Sequence, residues 1–202
     1  MPDLREGSKD LEIYRQAGEA ILRGEIPYRD FFLEYPPGSL PAFVPPALFS
    51  TDKAGYITLF SSEMALVLVT TLVLTALAAQ RMGGFYAWIP ASATLAAGAM
   101  MLYPVAVTRY DAVVALSLAV ATLCASFGGR YLALAYASLG FGAAAKLVPA
   151  LATLPLAVFR REAARGYAAF FGVLALFFVP ALLLGGGTSR AASRTTPTAA
   201  CR

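Results

Sequence analysis

Residues 131–159 read YLALAYASLGFGAAAKLVPALATLPLAVF, a stretch of 29 residues that contains one charge, Lys146. As a single straight helix it would be about 43 Å long, whereas the hydrocarbon core of a bilayer is about 30 Å thick. Lys146 would lie about 22 Å along that helix, at a depth where a lysine costs roughly 2.5–3.5 kcal/mol even on the gentler insertion scale. Pro149 and Pro155 follow it. A broken pair of short helices, 131–145 and 147–159, turning near Lys146, removes both difficulties. Polar backbone at such depth is tolerated where it lines a cavity.

The surrounding chain has the same character. Of 202 residues, 58% are apolar and only 14% charged, where a soluble domain carries roughly 25% charged residues. Mean hydropathy is +0.65. Further apolar runs occupy Tyr56–Ala79, with Glu63 near one end, then 85–103, 112–127 and 167–184. The sequence predicts an all-α integral membrane protein, a polytopic helical bundle over 56–184. There is no histidine, so no Ser-His-Asp triad, Cys-His pair or histidine base can be built from this chain. Cys124 and Cys201 make neither a disulfide framework nor a Cys-x-x-Cys metal site. No metal site and no cofactor are expected, and proton chemistry falls to carboxylates.

Charge is unevenly spread. Residues 1–34 hold eight acids and five bases, and the rest of the chain holds four acids and eleven bases. Those later bases stand singly between apolar runs, as in the loops of membrane proteins. They form no stripe interleaved with aromatics, which speaks against nucleic acid. The chain opens without the basic-then-apolar pattern of a signal peptide. Residues 1–55 read as an interfacial loop carrying an amphipathic helix over 10–23. Leu11, Tyr14, Gly18, Ile21 and Leu22 share one face, and Glu12, Arg15, Glu19 and Arg23 fall mostly on the other. Ser8 or Asp10 can cap its start and Gly24 can close its end. This helix is expected to lie on a membrane surface. Six prolines between Pro27 and Pro46 are expected to prevent regular structure. Phe31, Phe32, Tyr35, Phe43 and Phe49 are expected to dip into the interface. Residues 185–202 read as an irregular, low-complexity tail.

Several local patterns stand in a definite order: Asp10-Leu11-Glu12-Ile13-Tyr14, then Pro27-Tyr28-Arg29-Asp30-Phe31, Glu34-Tyr35-Pro36-Pro37, Arg109-Tyr110-Asp111 and Lys146-Leu147-Val148-Pro149. Over residues 8–184 this order resembles glycosyltransferase family 87, polyprenyl-phosphate-mannose-dependent mannosyltransferases of the C-type (GT-C) superfamily. The resemblance implies a multi-pass enzyme of a bacterial plasma membrane, with its active face outside the cytoplasm. It implies a sugar donor on a polyprenyl phosphate, a glycolipid or glycan acceptor, and inversion at the anomeric carbon. The family's first transmembrane helix, before the position of Asp10, and its later helices have no counterpart here, so the chain reads as truncated at both ends. Back-translation of Arg194–Arg202 yields a family-like Tyr-His-x-x-Arg-Gly-Leu-Gln in another frame, which suggests a frameshift near Gly187.

Each candidate residue has a plain alternative. The resemblance makes Asp10 the general base that takes the acceptor hydroxyl's proton; otherwise it is a helix cap. Asp30 and Glu34 are candidate ligands of acceptor hydroxyls, or solvated turn residues. Tyr35 can stack on a sugar or anchor in the interface. Arg109 can grip the donor phosphate with its planar guanidinium, or simply neighbour Asp111, a substrate-site candidate whose plain reading is a cap. Lys146 is assigned to the same phosphate, where a cation stabilises the leaving group. Orientation is contested. Five simple spans with the N-terminus inside put ten bases inside and five outside, as the positive-inside rule prefers. A hairpin at Lys146 with the N-terminus outside explains the lysine instead and is the reading adopted. A small transporter subunit or a non-catalytic membrane scaffold remain alternative functions.

Overall fold

A computed structural model describes residues 4–159 and 163–185. Among these the chain forms helices α1 (Leu4–Leu22), α2 (Leu40–Phe49), α3 (Lys53–Gly83), α4 (Trp88–Met101), α5 (Tyr103–Thr108), α6 (Asp111–Phe127), α7 (Tyr131–Ala145), α8 (Thr153–Phe159) and α9 (Ala163–Gly185). Short 3-10 turns precede α2 (Pro37–Ser39) and α8 (Val148–Ala152). The described residues include no β-strand beyond one isolated bridge, Pro27 with Phe31.

Two helices, α3 and α9, are long and apolar enough to cross a bilayer. At 31 residues, α3 is about 46 Å long, so one end must project past the hydrocarbon. That end starts with Asp52, whose carboxylate accepts the Gly55 N–H at 3.1 Å as an N-cap, and it carries the buried Tyr56 and Phe60. Further down, the Leu66, Val69 and Val73 side chains are exposed, the surface expected of a helix facing lipid.

Helices α3, α6, α7 and α9 each reach from one end of the bundle to the other, and the contacts at their termini define its two ends. At the first end, Lys53 pairs with Glu12, Tyr110 donates to the Ala145 carbonyl, and Gly185 meets Tyr28. At the second, the end of α3 meets the end of α6 where Arg81 covers the Phe127 ring. There too the start of α9, at Gly166, packs on Tyr136 of α7. The chain therefore rises along α7, turns at Lys146 and descends through the 3-10 turn and α8, so residues 131–159 are a hairpin rather than one span. Lys146 has extended backbone, φ −158° and ψ 130°. It sits at the hairpin tip, level with the N-terminus of α6, where its Nζ reaches Asp111. The close approach of α7 and α9 depends on Gly140, where a Cβ would come within 2.6 Å of the Phe170 carbonyl oxygen. Small residues at helix crossings serve this purpose in membranes.

The first 55 residues depart furthest from expectation. Helix α1 starts at Leu4 rather than at 10, so Ser8 and Asp10 are interior residues and neither caps it. Arg5, Glu6 and Lys9 are good helix formers and extend the helix backwards. Its apolar face, Leu11, Tyr14 and Ala17, is buried in one cluster with Phe43 of α2 and Phe60 of α3. Protein covers that part of the face, while Leu22 at its end is exposed. Residues 40–49 form a helix although Pro45 and Pro46 lie inside it. Interior prolines cost about 3 kcal/mol or more; burial of Ala42, Phe43, Pro46 and Ala47 offsets this. Phe43 is fully buried, while Phe32 and Phe49 are exposed. The run 85–103 is likewise split. Gly84, with φ +88°, ends the turn after α3, α4 begins only at Trp88, and Tyr103–Thr108 is a separate helix.

Candidate active site

Arg109, Tyr110 and Asp111 form the turn between α5 and α6 at the first end of the bundle. Arg109 is extended, with φ −123° and ψ 144°, so the three side chains leave the turn in different directions. Tyr110 goes inward. Its ring packs with those of Tyr14 (α1), Tyr35 (the loop after α1) and Phe43 (α2), with all six centroid distances between 4.3 and 5.8 Å. Each such pair contributes about 0.5–1.5 kcal/mol beyond burial. Four segments are thus fastened at one point. The Tyr110 hydroxyl also donates to the Ala145 carbonyl at 3.3 Å, an acceptor that the end of α7 leaves unpaired.

Two ion pairs flank this anchor. Arg109 Nη2 lies 3.1 Å from Asp10 Oδ2, and Tyr35 Oη points at Asp10 Oδ1 from 3.5 Å, long for a hydrogen bond. On the other side, Lys146 Nζ lies 2.6 Å from Asp111 Oδ1. The Arg109 and Asp111 Cα atoms are two residues apart and so within about 7 Å of each other. Asp111 is not the cap of α6: Tyr110 takes that position, and Asp111 is the first helical residue. Its carboxylate is drawn to Lys146 because the Tyr110–Ala145 bond brings the hairpin tip alongside.

The remaining candidates lie outside this cluster. Asp30 closes its own turn. It accepts the Ile26 N–H at 2.8 Å and both oxygens take bonds from Arg29, which holds its carboxyl below the usual range. Glu34 is exposed. It lines a cleft of about 600 Å³ with Tyr28, Tyr35, Leu147, Ala181 and Leu182. Tyr35 is partly buried: its ring packs against the aromatic cluster and also lines this cleft. Tyr28 fastens the loop, donating to the Tyr35 carbonyl at 2.6 Å; burial pushes its phenol up to about 12. Glu12 and Arg15 support the helix carrying Asp10. The Arg15 guanidinium first, with Gln16 and Lys53, holds the Glu12 carboxyl at about 2.

A second cleft, about 790 Å³, runs down between α3, α4, α5 and α6. Leu68, Leu95, Leu102, Val105 and Ala115 line it, and Asp111 is its one charged wall residue. A long apolar trough thus reaches the Asp111–Lys146 pair. No group of three or more metal-ligating side chains occurs among the described residues. Sequence reasoning missed Tyr14, Phe43 and Tyr110 as the scaffold of the site. The only local signal was an aromatic residue between two opposite charges at a span end. Residues 186–202, on which the tail and frameshift readings fall, and Arg160 and Arg161 lie outside the described residues.

No curated protein and no solved structure matches the chain. The sequence profile of glycosyltransferase family 87 matches residues 32–198, which contain Glu34, Tyr35, Arg109, Asp111 and Lys146; Asp30 stands just before the match and Asp10 well before it. With that match covering most of its length, the chain belongs to glycosyltransferase family 87, a family of membrane glycosyltransferases.

Proposed function

We propose that the chain transfers a mannosyl or similar sugar from a polyprenyl-phosphate donor to a glycolipid or glycan acceptor, with inversion, at the extracytoplasmic face of a bacterial plasma membrane. The observation that carries this reading is the junction of an apolar trough with the Asp111–Lys146 pair, one residue removed from the Asp10–Arg109 pair. A polyprenyl chain needs a long apolar channel, and its phosphate needs cations at the channel's end. Lys146 and Arg109 are half-exposed there and able to turn toward a phosphate.

In this reading the donor phosphate draws Arg109 from Asp10. The freed Asp10 carboxylate takes the acceptor hydroxyl's proton, and the resulting oxygen attacks the anomeric carbon. The bond from that carbon to the phosphate oxygen breaks with its electron pair on the phosphate, which leaves as polyprenyl phosphate stabilised by Lys146 and Arg109. Asp111 and Tyr35 hold Lys146 and Asp10 in place until then. Glu34, on the neighbouring cleft, serves the acceptor, and Asp30 shapes the loop beside it. The second end of the bundle, with Arg81, Arg130 and Arg165, faces the cytoplasm in this arrangement, as its basic loops prefer.

The test is sugar transfer from a synthetic polyprenyl-phosphate donor by the purified chain in nanodiscs. Asp10→Asn should lower turnover by about 10²–10⁴ without weakening donor binding, because Arg109 no longer has an ion pair to leave. Wild-type turnover in the variant would remove Asp10 from the chemistry.

A further inference from the structure

At the second end of the bundle, away from both ion pairs, a cavity of about 540 Å³ opens between α3, α6, α7 and α8. Its walls are mostly apolar, with Leu118, Ala121, Leu139 and Leu156 beside Thr122 and Ser126, and Arg81 stands on its rim. The Arg81 guanidinium lies 3.8 Å from the centre of the Phe127 ring. Phe127 packs on Tyr131 at 5.2 Å. The Arg130 guanidinium covers Tyr131 at 5.1 Å and donates to its hydroxyl at 3.1 Å. Two guanidinium groups therefore flank a pair of tilted rings at the level of the helix ends. Neither is ion-paired to a described carboxylate, all the described ion pairs lying at the first end.

Cations held by ring stacking have already lost part of the rotamer freedom that binding an anion would cost. An apolar slot below such a pair, at the depth where helices leave the bilayer, matches a lipid with a negative headgroup. The volume falls within the range of ligand pockets. We propose that this cavity binds one anionic phospholipid of the leaflet opposite the candidate active site, its phosphodiester at Arg81 on the rim and an acyl chain along α6, with Arg130 beyond the two rings adding positive charge at the same end.

The experiment is native mass spectrometry of the full chain released from phosphatidylcholine nanodiscs containing increasing phosphatidylglycerol. One phosphatidylglycerol per chain should be retained, with saturation, in preference to phosphatidylcholine. Arg81→Gln should weaken retention about fivefold, as expected for one cation near a membrane surface, and Arg130→Gln by less, since it lies beyond the ring pair. Arg165→Gln, at the same end but away from both the cavity rim and the ring pair, should leave it unchanged. Equal retention of the two lipids by the wild-type chain, which needs no variant to fold, would overturn the proposal. So would an equal loss in Arg165→Gln, which would mean diffuse surface attraction.

Discussion

Replacing Lys146 by alanine separates a structural ion pair from a chemical one. The contact with Asp111 is short, at 2.6 Å, yet each side chain stays 47% exposed. An exposed pair of this kind contributes about 0.2–1 kcal/mol. Lys146 also follows the last residue of α7, where a cation interacts with the helix dipole by about 0.3–1 kcal/mol. Lys146→Ala should therefore lower stability by roughly 0.5–2 kcal/mol, and Asp111→Ala by a similar amount. The effect on catalysis should be of another size. Losing a group that stabilises developing negative charge costs about 2.7–4 kcal/mol of barrier, or 10²–10³ in kcat. Thermal unfolding of the chain in nanodiscs and transfer from a saturating polyprenyl-phosphate donor measure the two quantities on one preparation. Asp111→Ala should lose less turnover than Lys146→Ala, because it leaves the cation in place. The reasoning is refuted if Lys146→Ala keeps kcat within threefold of wild type, or if both variants lose turnover only as far as they lose folded protein.

Other expectations follow from individual contacts. Tyr110→Phe removes the bond to the Ala145 carbonyl and should cost about 0.5–1.5 kcal/mol; it should raise the donor KM more than it lowers kcat, read from initial rates, because Lys146 is then less well fixed. Tyr14→Ala should cost about 3–5 kcal/mol, as large aromatic truncations in cores do, and should abolish the near-ultraviolet circular dichroism of the ring cluster. Gly140→Leu should separate α7 from α9, seen as loss of a disulfide engineered between their facing residues. The Glu12 carboxyl is held at about 2 against an ordinary 4.5. Its contribution to docking α1 is thus present above pH 4.5 and lost as pH falls through about 2, and Glu12→Gln should flatten that part of an acid titration followed by tyrosine dichroism.

The helical class was legible because long apolar runs leave few options in lipid. The break at Lys146 was legible because a lysine in the middle of an apolar stretch too long for one span has no comfortable place in a straight helix. Other features depend on tertiary contacts that local sequence does not carry. The proline-rich segment reads as loop, and α2 forms only because Phe43 and its neighbours are buried between α1 and α3. Asp10 reads as a cap until Arg109, nearly a hundred residues later, is found beside it. Asp111 reads as a cap for the same reason: its partner Lys146 lies across the hairpin. Tyr14, Phe43 and Tyr110 each look like ordinary apolar-face residues, and only their convergence with Tyr35 makes them the frame of a site. The family pattern picked out Glu34, Tyr35, Arg109, Asp111 and Lys146 as candidates by their order along the chain, which preserves motifs but not pairings.

The central claim is that the trough beside Asp111 carries the lipid of the donor. The most direct measurement is photocrosslinking of a diazirine-bearing polyprenyl phosphate to the chain in nanodiscs, with the labelled residues mapped by mass spectrometry. Labelling is expected in Leu95–Ala106 and Ala112–Ala115, suppressed by excess unlabelled polyprenyl phosphate and weakened by Lys146→Gln. Labelling confined to the cleft at Tyr28, Leu147 and Leu182, or spread over the lipid-facing side of α3 without competition, would contradict the claim.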